Sequence, residues 1–106
     1  MNKHVVDLQK WANMTIFEQM GNIGSEVGRA MNAKSIGDPD RLRGALLRGL
    51  DLFDATATIW ADKKSGRTRE ILRAREQFVE AVTTDKNDSS LENYFMQFAI
   101  AARLNR

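Results

Sequence analysis

Thr15-Ile16-Phe17-Glu18-Gln19-Met20-Gly21-Asn22-Ile23-Gly24-Ser25-Glu26-Val27-Gly28-Arg29-Ala30-Met31 decides the fold class. Thr15 and Glu18 have the spacing of a capping box, in which hydroxyl and carboxylate each satisfy an orphan backbone N–H at a helix start. From there Ile16, Met20, Ile23, Val27 and Met31 recur with a helical period, with Phe17 at the edge, so the stretch predicts an amphipathic helix with one core stripe. Beside the stripe, Gly21, Gly24 and Gly28 fall within about 60° of one another and leave a strip bare of side chains. Each glycine costs up to about 1 kcal/mol of helix stability relative to alanine, so the strip needs a compensating contact. Close approach of another helix supplies one, either within the chain or from a partner.

Outward from this helix, breakers fall at Lys34-Ser35-Ile36-Gly37-Asp38-Pro39, at Ala61-Asp62-Lys63-Lys64-Ser65-Gly66 and at Thr84-Asp85-Lys86-Asn87-Asp88-Ser89-Ser90. Every segment between them has helical spacing and none alternates as a strand would. Asp38-Pro39 opens the second helix, whose main stripe is Leu42, Leu46, Leu50, Phe53, Ala57 and Trp60. The third begins near Thr68, with Ile71, Leu72, Phe78, Val79 and Val82 as its apolar face. Arg75 projects into that face and must snorkel, pair with Glu26 or Asp54, or mark where the face becomes a wet cleft. Ser89-Ser90-Leu91-Glu92 caps the fourth, with Leu91, Tyr94, Phe95, Phe98, Ala99 and Ala102 inward. The short loops suit antiparallel neighbours. The expected fold is all-α: an antiparallel four-helix bundle over residues 15–106. Residues 1–14 form a short N-terminal extension, an arm or short helix anchored by Trp11.

Composition removes much chemistry. The 106 residues include no Cys and one His, so disulfides, thiolate nucleophiles and Cys-ligated zinc are excluded together. His4 alone cannot complete a Ser-His-Asp triad, the paired Glu-x-x-His motifs of a di-iron bundle, or the Arg-then-His pair of helical ribonucleases. Glu18 with Glu26, or Asp51 with Asp54, offers no more than ordinary helix surfaces do, and Gly21-x-x-Gly24-x-x-x-Gly28 lacks the strand and Lys of a phosphate loop. No catalytic residue, metal site or cofactor is expected. Neither a signal-length apolar run nor a membrane span is present in the sequence, which reads as cytoplasmic with no membrane partner.

Two surfaces remain. In the fourth helix Met96, Ile100 and Leu104 recur on the side opposite the core stripe, more apolar surface than a bundle helix needs. Either a partner covers them or the N-terminal arm folds over them through Val5, Val6, Leu8 and Trp11. Leu52 and Ile59 likewise sit off the main stripe of the second helix. With Gly21, Gly24 and Gly28 these residues form the candidate oligomer or partner interface. The second surface is basic. Residues 63–75 carry six cations against Glu70, a net +5 in a chain of net +2, while residues 76–92 carry a net −4. Lys63 and Lys64 complement the negative end of the second helix, but Arg67 and Arg69 oppose the positive end of the third. Together with Arg73 they form a candidate phosphate-binding patch for nucleic acid, without an aromatic residue interleaved among them.

The run from Glu18 to Ala30, and again Tyr94-Phe95-Met96-Gln97-Phe98-Ala99-Ile100-Ala101-Ala102-Arg103, resembles a group of small uncharacterised bacterial helical proteins. More remotely, helix count and loop placement resemble a bacterial four-helix-bundle family. That family includes proteins encoded in ribosomal RNA intervening sequences and the accessory variability determinant of diversity-generating retroelements. The resemblance implies a ring-like homo-oligomer, commonly a pentamer, and for the accessory determinant a basic surface engaging nucleic acid and a reverse transcriptase. It carries over no catalytic residues. The expected function is a non-catalytic oligomeric interaction module associating through its fourth helix, with a protein or ribonucleoprotein partner. The alternative is a nucleic-acid-binding accessory protein using the basic patch.

Overall fold

Asp7 accepts from the Lys10 N–H at 3.1 Å and starts a short helix, α1 (Leu8–Ala12). The Thr15 capping box then forms, its hydroxyl accepting from the Glu18 N–H at 3.1 Å and the Glu18 carboxylate from the Thr15 N–H at 2.9 Å. It opens α2 (Ile16–Ile36), which stops where Gly37 turns left-handed at φ 72°, a conformation strained for any residue with a Cβ. Asp38 caps α3 (Pro39–Asp62) by accepting from the Arg41 N–H, and α4 (Arg67–Thr83) and α5 (Ser90–Leu104) follow. The computed structural model describes residues 6–63, 66–84 and 90–104, and all regular structure among them is helical. The proposed cap Ser89 lies outside the described residues.

α2 is the hub, packing most widely on α3 and α5, while α3 also carries α4 and α1. Contact between α4 and α5 is narrow. Met20, Ile23 and Val27 of α2 meet Phe53 of α3, Ile71 and Phe78 of α4 and Phe95 of α5 in a fully enclosed core. The Phe53 ring centroid lies 5.9 Å from those of both Phe78 and Phe95, tying three helices together. At the tail end of α2 the Lys34 ammonium donates to the carbonyls of Ala81, at 2.7 Å, and Thr84, meeting the negative end of α4.

The buried face of α3 is rotated from the expected stripe. Ala45, Gly49, Phe53, Thr56 and Ile59 are buried, while Leu42, Leu46, Leu50, Ala57 and Trp60 are half-buried flanks. The stripe inferred from the largest apolar residues missed small ones that admit close neighbours. A Cβ on Gly49 would lie 2.7 Å from Phe78 Cε2. α1 covers the rotated side: the Trp11 indole N–H donates to the Thr56 hydroxyl at 2.8 Å, and Thr56 donates to the Leu52 carbonyl at 2.7 Å. Thr56 stands one turn from both Leu52 and Ile59, two of the candidate interface residues: Ile59 is buried and Leu52 half-buried against the core. Leu72, expected inward, is exposed.

Buried Gln19 completes the attachment of α1. Its amide N–H donates to the Trp11 carbonyl at 2.8 Å, and its amide oxygen accepts from the Trp60 indole at 2.7 Å. Both tryptophan N–H groups are thus satisfied, as burial of an indole requires.

Candidate interaction surfaces

α1 does not cover the outer stripe of α5. Met96, Ile100 and Leu104 are 59%, 49% and 79% exposed, the only described elements' large apolar side chains to line up along one helix in this way. The inward side of α5 buries Leu91 and Phe95 and half-buries Tyr94, Phe98, Ala99 and Ala102. Asn93 and Gln97, also exposed, share the outer side.

The glycine strip is where α2 receives α5. A Cβ on Gly24 would stand 2.8 Å from Phe95 Cβ, and one on Gly21 would stand 3.5 Å from Ala99 Cα. Gly21 and Gly24 therefore have an occupant within the chain, whereas Gly28 has nothing within 4 Å of that position. A groove of about 290 Å³ runs between the helices, from Gly21 to Gly28 on α2 and from Arg103 back to Glu92 on α5, with Met96 on its rim. The two charged side chains at its ends make no ion pair with any described residue. The structure thus brings the glycines together with Met96 along the groove, sets Ile100 and Leu104 on the exposed side of α5, and leaves Leu52 and Ile59 packed against the core on α3.

The basic segment gains an aromatic residue from the preceding helix. The Lys63 ammonium lies 4.6 Å and the Arg67 guanidinium 5.6 Å from the Trp60 ring centroid, within cation–π range. Arg69 and Arg73 are exposed on α4, and Lys64 lies outside the described residues. The Trp60–Lys63 spacing of three residues was the sequence signal for this contact. Behind the patch, half-buried Tyr94 of α5 hydrogen-bonds Glu70 of α4. Burial, then that hydrogen bond and the Glu70 charge, push the Tyr94 hydroxyl well above its ordinary value of 10.0, with Arg67 pulling the other way.

Arg75 finds Asp54, its Nε 2.8 Å from Oδ1, as one of the two expected partners. The other, Glu26, is engaged elsewhere: it is buried, with Oε2 2.6 Å from Arg48 Nε and Oε1 bonded to Arg29. Arg29 and Arg48 also line a cleft of about 450 Å³ between α2 and α3, with Arg41, Asn32 and Asp40. Gln19 had escaped sequence reasoning, and Glu26 had been read only as a partner for Arg75 or a mate for Glu18, although both fall on the α2 face that carries Ile16, Ile23 and Ala30. A polar residue on such a face is the available signal for a buried hydrogen-bond hub. No group of three His, Cys, Asp or Glu side chains able to hold a metal gathers among the described residues, and no described helix is long and apolar enough to cross a membrane. No family model, curated protein or solved structure matches the chain.

Proposed function

We propose that this protein is a non-catalytic interaction module, an antiparallel four-helix bundle with α1 as its extension, that associates with copies of itself through α5. The observation that carries the reading is the exposure of Met96, Ile100 and Leu104 along one helix beside an unfilled groove. Contiguous apolar surface in water is unfavourable by about 25 cal/mol per Å², and covering it favours association. Solution mass at micromolar concentration tests this. A mass above one chain, falling to one chain in Met96→Glu and in Ile100→Glu, is expected. A single-chain mass that neither substitution changes counts against the reading.

The cation–π cluster on Trp60 favours a second reading, an accessory protein that contacts nucleic-acid phosphates through Lys63, Lys64, Arg67, Arg69 and Arg73. Trp60 supplies an aromatic surface next to the cations, which the segment itself lacks. Binding to RNA or DNA then weakens steeply with salt, and charge reversal at Arg67 and Arg69 flattens the slope. Absence of binding at low salt refutes it.

A further inference from the structure

We infer that the occupant of the α5 surface is α5 of a second copy, lying antiparallel about a two-fold axis so that Glu92 of each copy faces Arg103 of the other. This rests on the self-association proposed above and adds its geometry.

The argument begins with helix arithmetic. Glu92 and Arg103 are eleven residues apart, about three turns and 20°, so they occupy one side of α5 about 16 Å apart. They terminate the groove, and neither is ion-paired with a described residue. A surface with an acid at one end and a base at the other is complementary to itself only when reversed. Parallel docking of two copies sets Glu92 beside Glu92 and Arg103 beside Arg103, which repels at both ends. Antiparallel docking sets opposite charges together twice and also opposes the helix dipoles.

The same register disposes of the apolar groups. With Glu92 facing Arg103, Met96 of one copy meets Ala99 and Ile100 of the other. Leu104 then falls against the turn at Leu91 and Glu92, beside Gly28. That places the most exposed large apolar side chain among the described residues, 79% accessible, next to the one glycine of the strip whose added Cβ would meet no described atom within 4 Å. Gly21 and Gly24, already filled by α5 of their own chain, form the groove floor.

Charge exchange on the full chain tests the register, with mass measured across a concentration series by sedimentation at low salt. The unmodified chain should reach the mass of two chains and no more. Glu92→Arg and Arg103→Glu each place like charges at both ends of the pair and should weaken dimerisation about tenfold or more. The double variant, and an equimolar mixture of the two single variants, should both regain it, which also shows that each single variant is folded. A monomer at every concentration overturns the self-association reading and this inference with it. A dimer abolished by Met96→Glu yet indifferent to both single reversals leaves self-association standing and overturns the register. A mass above two chains, as a ring would give, overturns the two-fold.

Discussion

Gln19 shows how one buried amide can hold a terminus to a core. It links the Trp11 carbonyl to the Trp60 indole, so Gln19→Leu, similar in size, leaves the Trp60 N–H unpaired, while the Trp11 carbonyl keeps the Met14 N–H at 3.1 Å. The expected loss is about 1–3 kcal/mol of unfolding free energy in urea, the cost of one orphaned group. Thr56→Val, which orphans the Trp11 N–H, should lose a similar amount. Tyr94 gives a second test because it is the only tyrosine in the chain. Its folded-state pKa is raised, so below pH 10 the hydroxyl is protonated in both states and stability is indifferent to it. Above pH 10 the unfolded chain releases the proton and the folded chain keeps it, so stability falls as pH rises. Phenolate absorbance of the native protein should therefore stay low past the ordinary tyrosine range and rise with alkaline unfolding, and Tyr94→Phe should remove this contribution to the alkaline slope. A native phenol that titrates near 10 refutes the account.

Between elements, the glycines of α2 are predicted to differ despite identical helix propensities. Gly24→Ala drives a methyl to 2.8 Å from Phe95 Cβ, an atom fixed to the α5 backbone, and should destabilise the chain although alanine favours the helix. Gly28→Ala meets nothing within 4 Å and should add up to about 1 kcal/mol, read as a higher thermal midpoint in dilute solution. Equal effects at both sites would contradict the assigned α2–α5 packing. The strip itself was legible in the sequence, because three glycines on one side of a helix demand a close neighbour, but which helix came near was not. The Thr15 and Asp38 starts were legible for a related reason: a cap is a local bargain between residues three apart. The rotation of α3 was not local. It depends on Phe78 of α4 closing on Gly49 as well as on α1 arriving at Thr56, and nothing within Pro39–Asp62 distinguishes a stripe flanked by leucines from one centred on Ala45, Gly49 and Thr56. For the same reason Leu52 and Ile59, which pack against the core, read in the sequence as surplus surface. The outer stripe of α5 was legible because no described residue covers it.

For the molecule as a whole, α5 is the outlying member. α2 is packed on several sides, whereas α5 rests chiefly on α2, buries only Leu91 and Phe95 completely, and meets α4 narrowly. Local opening follows the apolar contact that must be broken, so α5 should open at a lower free energy than the Met20–Ala30 region of α2. Association through α5 couples that opening to concentration, since a second copy binds the closed form and stabilises it by mass action. Amide exchange should therefore be heterogeneous in dilute solution, with α5 exchanging well before α2. Raising the protein from ~1 to ~100 μM should slow exchange in α5 most, by a factor set by concentration over dissociation constant. A slowing centred on α4 and Trp60 would place the contact on the basic face instead. Exchange in α5 that ignores concentration would remove α5 from any interface while leaving the fold as described.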